Sequence, residues 1–306
     1  MKIIRDTENC SYKNAVVAIG NFDWLHVWHR AVIEHGRRIA KGMSLPLAVM
    51  SFEPHPKVFF SKNDDEKLRI YSLYDKLLTL KNLGVDIVYL LRFNARFSNL
   101  TAQEFVEQVL VRDLAVSHVL TGDDFCFGKG RAGDCDTLYG YALEHHFGYS
   151  VQKKIAFAGG EEISSSKIRN ALKNGDMQQA SRLLGQNYHI TGRVTHGEKR
   201  GQEIGFPTAN IPLAKLFIPR FGVYAVRVLL GDKKYNGVAN IGVKPTFGVF
   251  SPQLEVHLFD FSGDLYGQHI CVELVEFIRD EQKFPNFDAL KNQIEKDAIF
   301  ARRILQ

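Results

Sequence analysis

The stretch AVVAIGNFDWLHVWH, residues 15–29, decides the fold of the first half of this chain. Its apolar beginning, rich in β-branched residues, predicts a buried strand that ends at the Gly20-Asn21 turn. His26 and His29 then open a helical pattern, and their spacing places both on one helix face. Because a helix N-terminus offers free N–H groups and the positive end of its dipole, this strand–turn–helix unit predicts a phosphate site. From spacing alone, two ordinary packed or solvated histidines remain the alternative.

Strand-like and helix-like segments alternate through the first half of the chain. Strands are predicted at residues 15–19, 46–52, 85–91 and 118–120, and helices at 30–41, 71–83, 102–114, 164–172 and 177–184. This alternation predicts an α/β domain, in which helices cover both faces of a parallel sheet. Ligands of such sheets bind outside the carboxyl ends of the strands, where Gly20 and Asn21 fall.

The pattern changes to short strands from Ile190 onward. Strands are predicted at residues 192–195, 223–230, 235–241, 254–259 and 270–278, with turn residues such as Gly231-Asp232 between them. Strands of this length and spacing predict a small antiparallel β-barrel, followed by an amphipathic terminal helix over residues 288–305. We therefore predict two domains, residues 1–184 and 185–306.

Composition excludes several classes of protein. The 306 residues are 45% hydrophobic and 24% charged, which is typical of a soluble globular chain with room for two domains. No run approaches the ~20 apolar residues of a membrane span, and no signal-peptide core is evident, so we expect a cytoplasmic protein with no membrane partner. The net charge of +5 is spread along the chain, so no nucleic-acid partner is expected. Four scattered cysteines indicate reduced thiols rather than a metal site.

Five motifs follow one another along the chain: GNFD with the two histidines, FEPHP (52–56), GDDF with FG (122–128), ISSSKIR (163–169) and GFPTAN (205–210). In this order they resemble the bacterial bifunctional riboflavin kinase/FMN adenylyltransferase (FAD synthetase) family, from Met1 to about Phe284. The resemblance implies a Rossmann-like nucleotidyltransferase domain and a riboflavin kinase domain. It implies ATP-dependent phosphorylation of riboflavin to FMN, then adenylylation of FMN to FAD with release of pyrophosphate. Mg²⁺ is the implied cofactor, FMN and FAD are products rather than prosthetic groups, and the oligomeric state is left open.

In the first domain, the resemblance implies that His26 and His29 are catalytic and stabilise charge on the transferred phosphate. The implied nucleotide contacts are Gly20, Asn21, Phe22, Asp23, Asp123, Asp124, Ser164, Ser165, Ser166, Lys167 and Arg169. Hydroxyls and cations at a helix start suit phosphate. Taken singly, however, serines also cap helices and Asp-Gly stretches also form plain turns.

In the second domain, the resemblance implies that Glu255 is the base that accepts the proton of the riboflavin 5′-hydroxyl. Strand alternation places His257 on the same face as Glu255. The implied nucleotide contacts are Gly192, His196, Gly197, Gly205, Pro207, Thr208 and Asn210, of which Thr208 and Asn210 supply hard oxygen ligands for Mg²⁺. The implied flavin contacts are Asn240, Lys244, Pro245, Thr246, Arg279 and Glu281.

The chain departs from the family pattern at Trp24 and Trp28, where the family carries glycine. An indole at either place fills space needed by the nucleotide, rotates outward, or stacks on adenine or isoalloxazine. The first case predicts a riboflavin kinase whose adenylyl transfer is impaired. A second alternative is a flavin- or nucleotide-binding regulator that catalyses neither reaction.

Overall fold

The computed structural model describes residues 1–8, 10–23, 25–60, 70–153, 165–196, 205–213, 216–246 and 249–306, without the side chains of Ser165 and of residues 244–246 and 249–251. Contacts divide the chain into two compact units. The first comprises Met1–Glu66 with Lys76–Ile163, and the second comprises Lys67–Asp75 with Ser164–Gln306.

A six-stranded parallel sheet forms the centre of the first unit. Its strands are β1 (Lys2–Ile4), β2 (Val16–Ile19), β3 (Leu47–Glu53), β4 (Ile87–Arg92), β5 (His118–Gly122) and β6 (Gly148–Gln152). They are arranged in the order β1-β4-β3-β2-β5-β6. The chain therefore leaves β2 toward β3 on one side and reaches β5 on the other. The carboxyl ends of β2 and β5 border the crevice where such sheets bind ligands, because the strand order reverses there.

The described helices of this unit connect the strands in sequence. They are α1 (Val27–Met43), α2 (Pro56–Phe60), α3 (Leu73–Asn82), α4 (Ala95–Ser98), α5 (Ala102–Glu104) and α6 (Cys135–Glu144). The first three residues of α3 are grouped by contacts with the second unit. The helix predicted over residues 102–114 is present, but only its first turn, α5, is α-helical, and a π-helix, Phe105–Asp113, follows. Over nine residues, the apolar pattern does not distinguish the wider π turn from the α turn.

An antiparallel sheet of six strands, curled into a nearly closed barrel, forms the second unit. Its strands are β7 (Tyr188–Arg193), β8 (Ala209–Pro212), β9 (Gly222–Leu230), β10 (Lys233–Thr246), β11 (Val249–Leu258) and β12 (His269–Arg279). The strand order is β7-β12-β9-β10-β11-β8, and a bridge between Thr195 and Asn210 brings the two edges together. Helices α7 (Ser165–Asn174) and α8 (Met177–Leu184) precede the barrel, and α9 (Phe287–Ile304) follows it. Ala298 and Ala301 of α9 pack with Val223, Ala225 and Val238 of the sheet.

The predicted fold class is confirmed in both halves. Pattern analysis missed three edge strands, β1, β6 and β8, and placed β7 a few residues late. Contacts group α7 and α8 with the barrel, whereas the sequence pattern places both helices in the first domain. The domain boundary after residue 184 stays a prediction. Among the described residues, no helix is both long and apolar enough to span a membrane.

Two candidate active sites

The loop that follows β2 adopts an unusual backbone conformation at the edge of the crevice. Phe22 has φ of 47° and Leu25 has φ of 40°, values that bulky side chains rarely adopt. Both side chains are buried, and Phe22 is only 1% exposed. Because packing holds a strained backbone in place, the loop presents Asn21 and Asp23 in one arrangement.

His26 and His29 lie side by side at the start of α1, with ring centroids 4.1 Å apart. His26 is the N-cap residue, but its side chain forms no capping hydrogen bond. The Nδ1 atoms of both rings are buried and have no hydrogen-bond partner in the described part of the chain. Burial lowers the pKa of His26 to about 4, although Asp124 opposes the shift. Burial, His26 and Lys76 together lower the pKa of His29 well below its usual value. At neutral pH both imidazoles are therefore uncharged and retain unused hydrogen-bonding capacity.

A buried lysine supports the loop from below. Nζ of Lys76 donates to the carbonyl oxygen of Asn21 and to Oγ of Ser51, and the Ser51 hydroxyl also donates to that carbonyl at 2.9 Å. Sequence reasoning missed Lys76. The available signal was its place in α3, four residues before the fully buried Leu80, where an apolar residue is expected.

The loops after β2 and β3 are joined by a hydrogen-bonded pair. Nε2 of His55 lies 2.8 Å from Oδ2 of Asp23. Nδ1 of His55 accepts the N–H of Lys57 at 2.9 Å, so the proton of a neutral ring is on Nε2 and is donated to Asp23. His55 lies in the FEPHP motif, to which sequence analysis assigned no chemical role, and here it positions a carboxylate of the GNFD motif.

Trp28 extends from the second position of α1 over the end of β5. A Cβ atom built on Gly122 would lie 2.3 Å from Cη2 of the indole, so the ring rests against the bare backbone of that glycine. The indole N–H donates to the carbonyl of Lys153, just beyond β6, at 3.3 Å. The outward-rotated alternative is thus not the conformation of Trp28 here, whereas Trp24 lies outside the described residues.

The remaining predicted nucleotide contacts of this half do not all lie in the first unit. Asp123 and Asp124 follow β5 directly and are exposed, and the Asp124 carboxylate acts on the pKa of His26. Ser166, Lys167 and Arg169 begin α7, which contacts assign to the second unit. Their part in adenylyl transfer stays a prediction. Ser164 and the side chain of Ser165 lie outside the described residues.

In the second unit, three polar side chains form a row across neighbouring strands. Glu255 of β11 pairs directly with Asn210 of β8 on one side and with Asn240 of β10 on the other. Directly paired residues share a sheet face, so the carboxylate stands between the two amides. The flanking Leu254 and Val256 point into the core, with 0% exposure.

Glu281 reaches the same row from the segment after β12. Nδ2 of Asn240 donates to Oε1 of Glu281 at 3.4 Å. A Cβ on Gly242 would lie 2.1 Å from that oxygen, so the glycine makes room for the carboxylate. The row thus extends over β8, β11 and β10 to Glu281.

The strand that carries Asn210 begins at a loop anchored by His257. Nδ1–H of His257 donates to the carbonyl of Pro207 at 2.9 Å, and the His257 ring meets Phe206 edge-on at 5.1 Å. Asn210 is 3% exposed, its Nδ2 donates to the carbonyl of Thr208, and its Oδ1 is buried with no partner among the described residues. An unpartnered buried oxygen beside a threonine is a donor set that suits a hard cation.

The other predicted site residues of this half lie outside the Asn210–Glu255–Asn240 row. Gly192 of β7 allows close approach of Ile211, His196 stacks on Tyr266 with centroids 3.9 Å apart, and Gly205 has φ of +86°. Arg279 forms a bidentate pair with Asp297 of α9, Nη2 to Oδ2 being 2.6 Å. Its flavin contact stays a prediction. Gly197 and the side chains of Lys244, Pro245 and Thr246 lie outside the described residues.

Comparison with protein families finds two that divide the chain between them. The FAD synthetase family matches residues 8–167, and the riboflavin kinase family matches residues 184–305. A protein of Escherichia coli strain K12, named bifunctional riboflavin kinase/FMN adenylyltransferase, is 45% identical over 99% of this chain and 97% of its own length. A protein of Bacillus subtilis with the same name is 42% identical over 92% of this chain and 90% of its own length.

A solved structure is similar to this chain over nearly its full length. It is described as a macrolide-efflux protein from Streptococcus pneumoniae, has 30% sequence identity and a TM-score of 0.86, and the match covers 99% of both chains. Two units joined in this order are therefore shared by proteins that carry different names.

Proposed function

This chain belongs to the family of bifunctional riboflavin kinase/FMN adenylyltransferases, and we propose that it makes FMN from riboflavin in its second unit and FAD from FMN in its first. The substrates are the small molecules riboflavin, FMN and ATP. FMN and FAD leave as products rather than staying as prosthetic groups.

The row Asn210–Glu255–Asn240 is the observation that carries the proposal for the kinase reaction. A carboxylate held between two amides on a rigid sheet can accept a proton from a hydroxyl that is bound beside it. The riboflavin hydroxyl oxygen forms a bond to the γ-phosphorus of ATP as its proton passes to Glu255. The bond between the γ-phosphorus and the bridging oxygen breaks, and ADP leaves.

Mg²⁺ fits the residues that would hold it in this unit. The Oδ1 atom of Asn210 is buried and lacks a protein partner in the described ranges, and Thr208 adds a hydroxyl two residues earlier. Both are hard oxygen donors of the kind that bind Mg²⁺ together with ATP phosphates. When bound, the ion would neutralise charge on those phosphates.

In the first unit, the N-terminus of α1 and the imidazoles of His26 and His29 meet at the sheet crevice. We assign them to the α-phosphate of ATP, since both rings are neutral and have Nδ1 atoms without partners in the described chain. A phosphate oxygen of FMN forms a bond to the α-phosphorus, the bond to the bridging oxygen breaks, and pyrophosphate leaves. Hydrogen bonds from the two rings would stabilise the charge that develops on the α-phosphate.

Glu255→Gln tests the kinase assignment, because it keeps the shape and removes the proton acceptor. We expect FMN formation to fall at least about 100-fold while ATP and riboflavin still bind. FAD formation from added FMN should be unchanged and serves as the internal control. FMN formation near the normal rate in the variant would refute the role of Glu255.

A time course with riboflavin, ATP and Mg²⁺, in which FMN and FAD are separated by chromatography, tests the whole proposal. FMN should appear first and FAD after it. A protein that binds flavin and nucleotide but consumes no ATP would instead be the regulator considered above.

A further inference from the structure

Trp28 lies over the end of β5, one of the two strands at which the strand order of the first unit reverses. Its indole rests against Gly122 at the carboxyl end of β5, at a distance that leaves no room for even a methyl group on that glycine. Its N–H donates to the carbonyl of Lys153 beyond β6. One side chain of α1 thus reaches the ends of two strands, β5, which borders the predicted ligand crevice, and its neighbour β6.

The indole also flanks the two imidazoles that we assign to phosphate. Its centroid lies 5.1 Å from that of His29 and 6.0 Å from that of His26. On the other side, the His29 ring faces Phe22 at 5.2 Å, and Phe22 is 1% exposed. Phe22 therefore closes the interior side of the pair, whereas the partly exposed Trp28 stands on the surface side. The indole is therefore the more exposed of the two aromatic side chains that flank the imidazoles.

Resting on the proposed adenylyltransferase activity, we propose that Trp28 limits FAD formation by this protein. ATP enters the crevice after the indole has left Gly122 and the Lys153 carbonyl, and FMN accumulates before FAD. A ligand that binds only a minor open state loses apparent affinity in proportion to the population of that state. For an open state populated at about 10% or less, the apparent affinity for ATP is reduced about tenfold or more.

Steady-state kinetics of FAD formation from added FMN and ATP test the proposal in Trp28→Gly and Trp28→Phe. We expect Trp28→Gly to lower the KM for ATP about tenfold or more. Trp28→Phe, which keeps a smaller ring and loses the N–H, should be intermediate. FMN formation from riboflavin, which occurs in the other unit, should not change. A KM and kcat for FAD formation equal to those of the wild type would overturn the proposal.

Tryptophan fluorescence supplies a readout that does not need turnover. The chain has two tryptophans, so Trp24→Phe leaves Trp28 as the single emitter. ATP without flavin should shift its emission to the red as the indole moves into water. Quenching without a shift, which is expected if the indole stacks on adenine, would overturn the proposal, and so would an unchanged spectrum at saturating ATP.

These measurements separate the proposal from the function on which it rests. If neither wild type nor Trp28→Gly makes FAD while both make FMN, adenylyl transfer is refuted, and the fluorescence experiment alone decides on Trp28. Gly122→Ala provides a packing control, because the added methyl would overlap the indole. It should lower Tm by a few degrees in the wild type and by less in Trp28→Gly. Equal losses would show that the indole does not rest on Gly122 and would overturn the proposal.

Discussion

Nε2 of His55 lies 2.8 Å from Oδ2 of Asp23, so a hydrogen bond joins the FEPHP motif to the GNFD motif. The two motifs follow different strands, β2 and β3, whose carboxyl ends lie at the same edge of the sheet. The Lys57 N–H fixes the tautomer from the other side of the ring. His55 thus positions the Asp23 carboxylate at the edge of the crevice to which we assign the nucleotide in our proposal.

His55→Ala should lower kcat/KM for FAD formation about 10- to 100-fold, since a partly buried carboxylate that loses its donor costs roughly 1–3 kcal/mol. His55→Gln keeps a donor and should recover part of the activity. Kinetics with FMN and ATP measure the effect, and FMN formation from riboflavin is the control. Equal losses in both variants, together with a lowered Tm, would indicate a purely structural role.

The buried histidines should make the first unit sensitive to acid. In the folded protein the pKa of His26 is lowered to about 4 by burial, and that of His29 is lowered too. Unfolded histidine titrates near 6.5, so the unfolded chain binds more protons as pH falls. Stability is therefore lost as pH decreases from about 6.5 toward about 4.

Urea midpoints of wild type and His26→Asn at several pH values between 7 and 4.5 measure this effect. The variant should lose less stability over that interval. Asp124→Asn should lower the pKa of His26 further, because the Asp124 carboxylate raises it. Parallel stability curves, or an NMR titration of His26 near its ordinary pKa, would contradict the prediction.

His257 should influence phosphorylation through the loop that leads to Thr208. Its Nδ1–H holds the Pro207 carbonyl at 2.9 Å. We expect His257→Ala to raise the KM for ATP in FMN formation several-fold, because the loop loses its anchor to β11. His257→Gln keeps a hydrogen-bond donor, and its KM for ATP should lie between those of the wild type and His257→Ala. An unchanged KM in His257→Ala would show that the loop does not need the anchor, and FAD formation from FMN should be unaffected throughout.

The ion pair of Arg279 and Asp297 should matter for stability far more than exposed pairs do. Their side chains are 17% and 5% exposed, and Gln293 also donates to Asp297. Asp297→Ala should lower the free energy of unfolding by about 3 kcal/mol, because it leaves a largely buried guanidinium without its carboxylate.

Asp280→Ala is the matched control, since it breaks the exposed pair with Arg220 and should cost less than about 1 kcal/mol. Urea unfolding followed by circular dichroism measures both losses. Similar values for the two variants would contradict the distinction. The predicted flavin contact of Arg279 is tested separately, by riboflavin affinity in the folded Arg279→Lys variant.

The parts of the fold that sequence analysis predicted are those with strong local patterns. Residues 16–19 of β2 are all buried and read as a continuous apolar run, as expected of a parallel strand covered on both faces. By contrast, the short edge strand β8 has the sequence ANIP, with two poor strand formers. Its pairing with β11 creates the strand, and local sequence does not encode that partner.

The same distinction between local pattern and long-range contact applies to the residues of the candidate sites. The sequence by itself determined that His26 and His29 start a helix after a buried strand, and that Glu255 alternates with core residues, because both follow from the spacing of neighbours in the chain. Only the tertiary structure decided that Lys76 supports Asn21, that His55 holds Asp23 and that Trp28 rests on Gly122. Those contacts join residues distant in sequence. The order of strands in the sheet sets them, and a local pattern carries no record of that order.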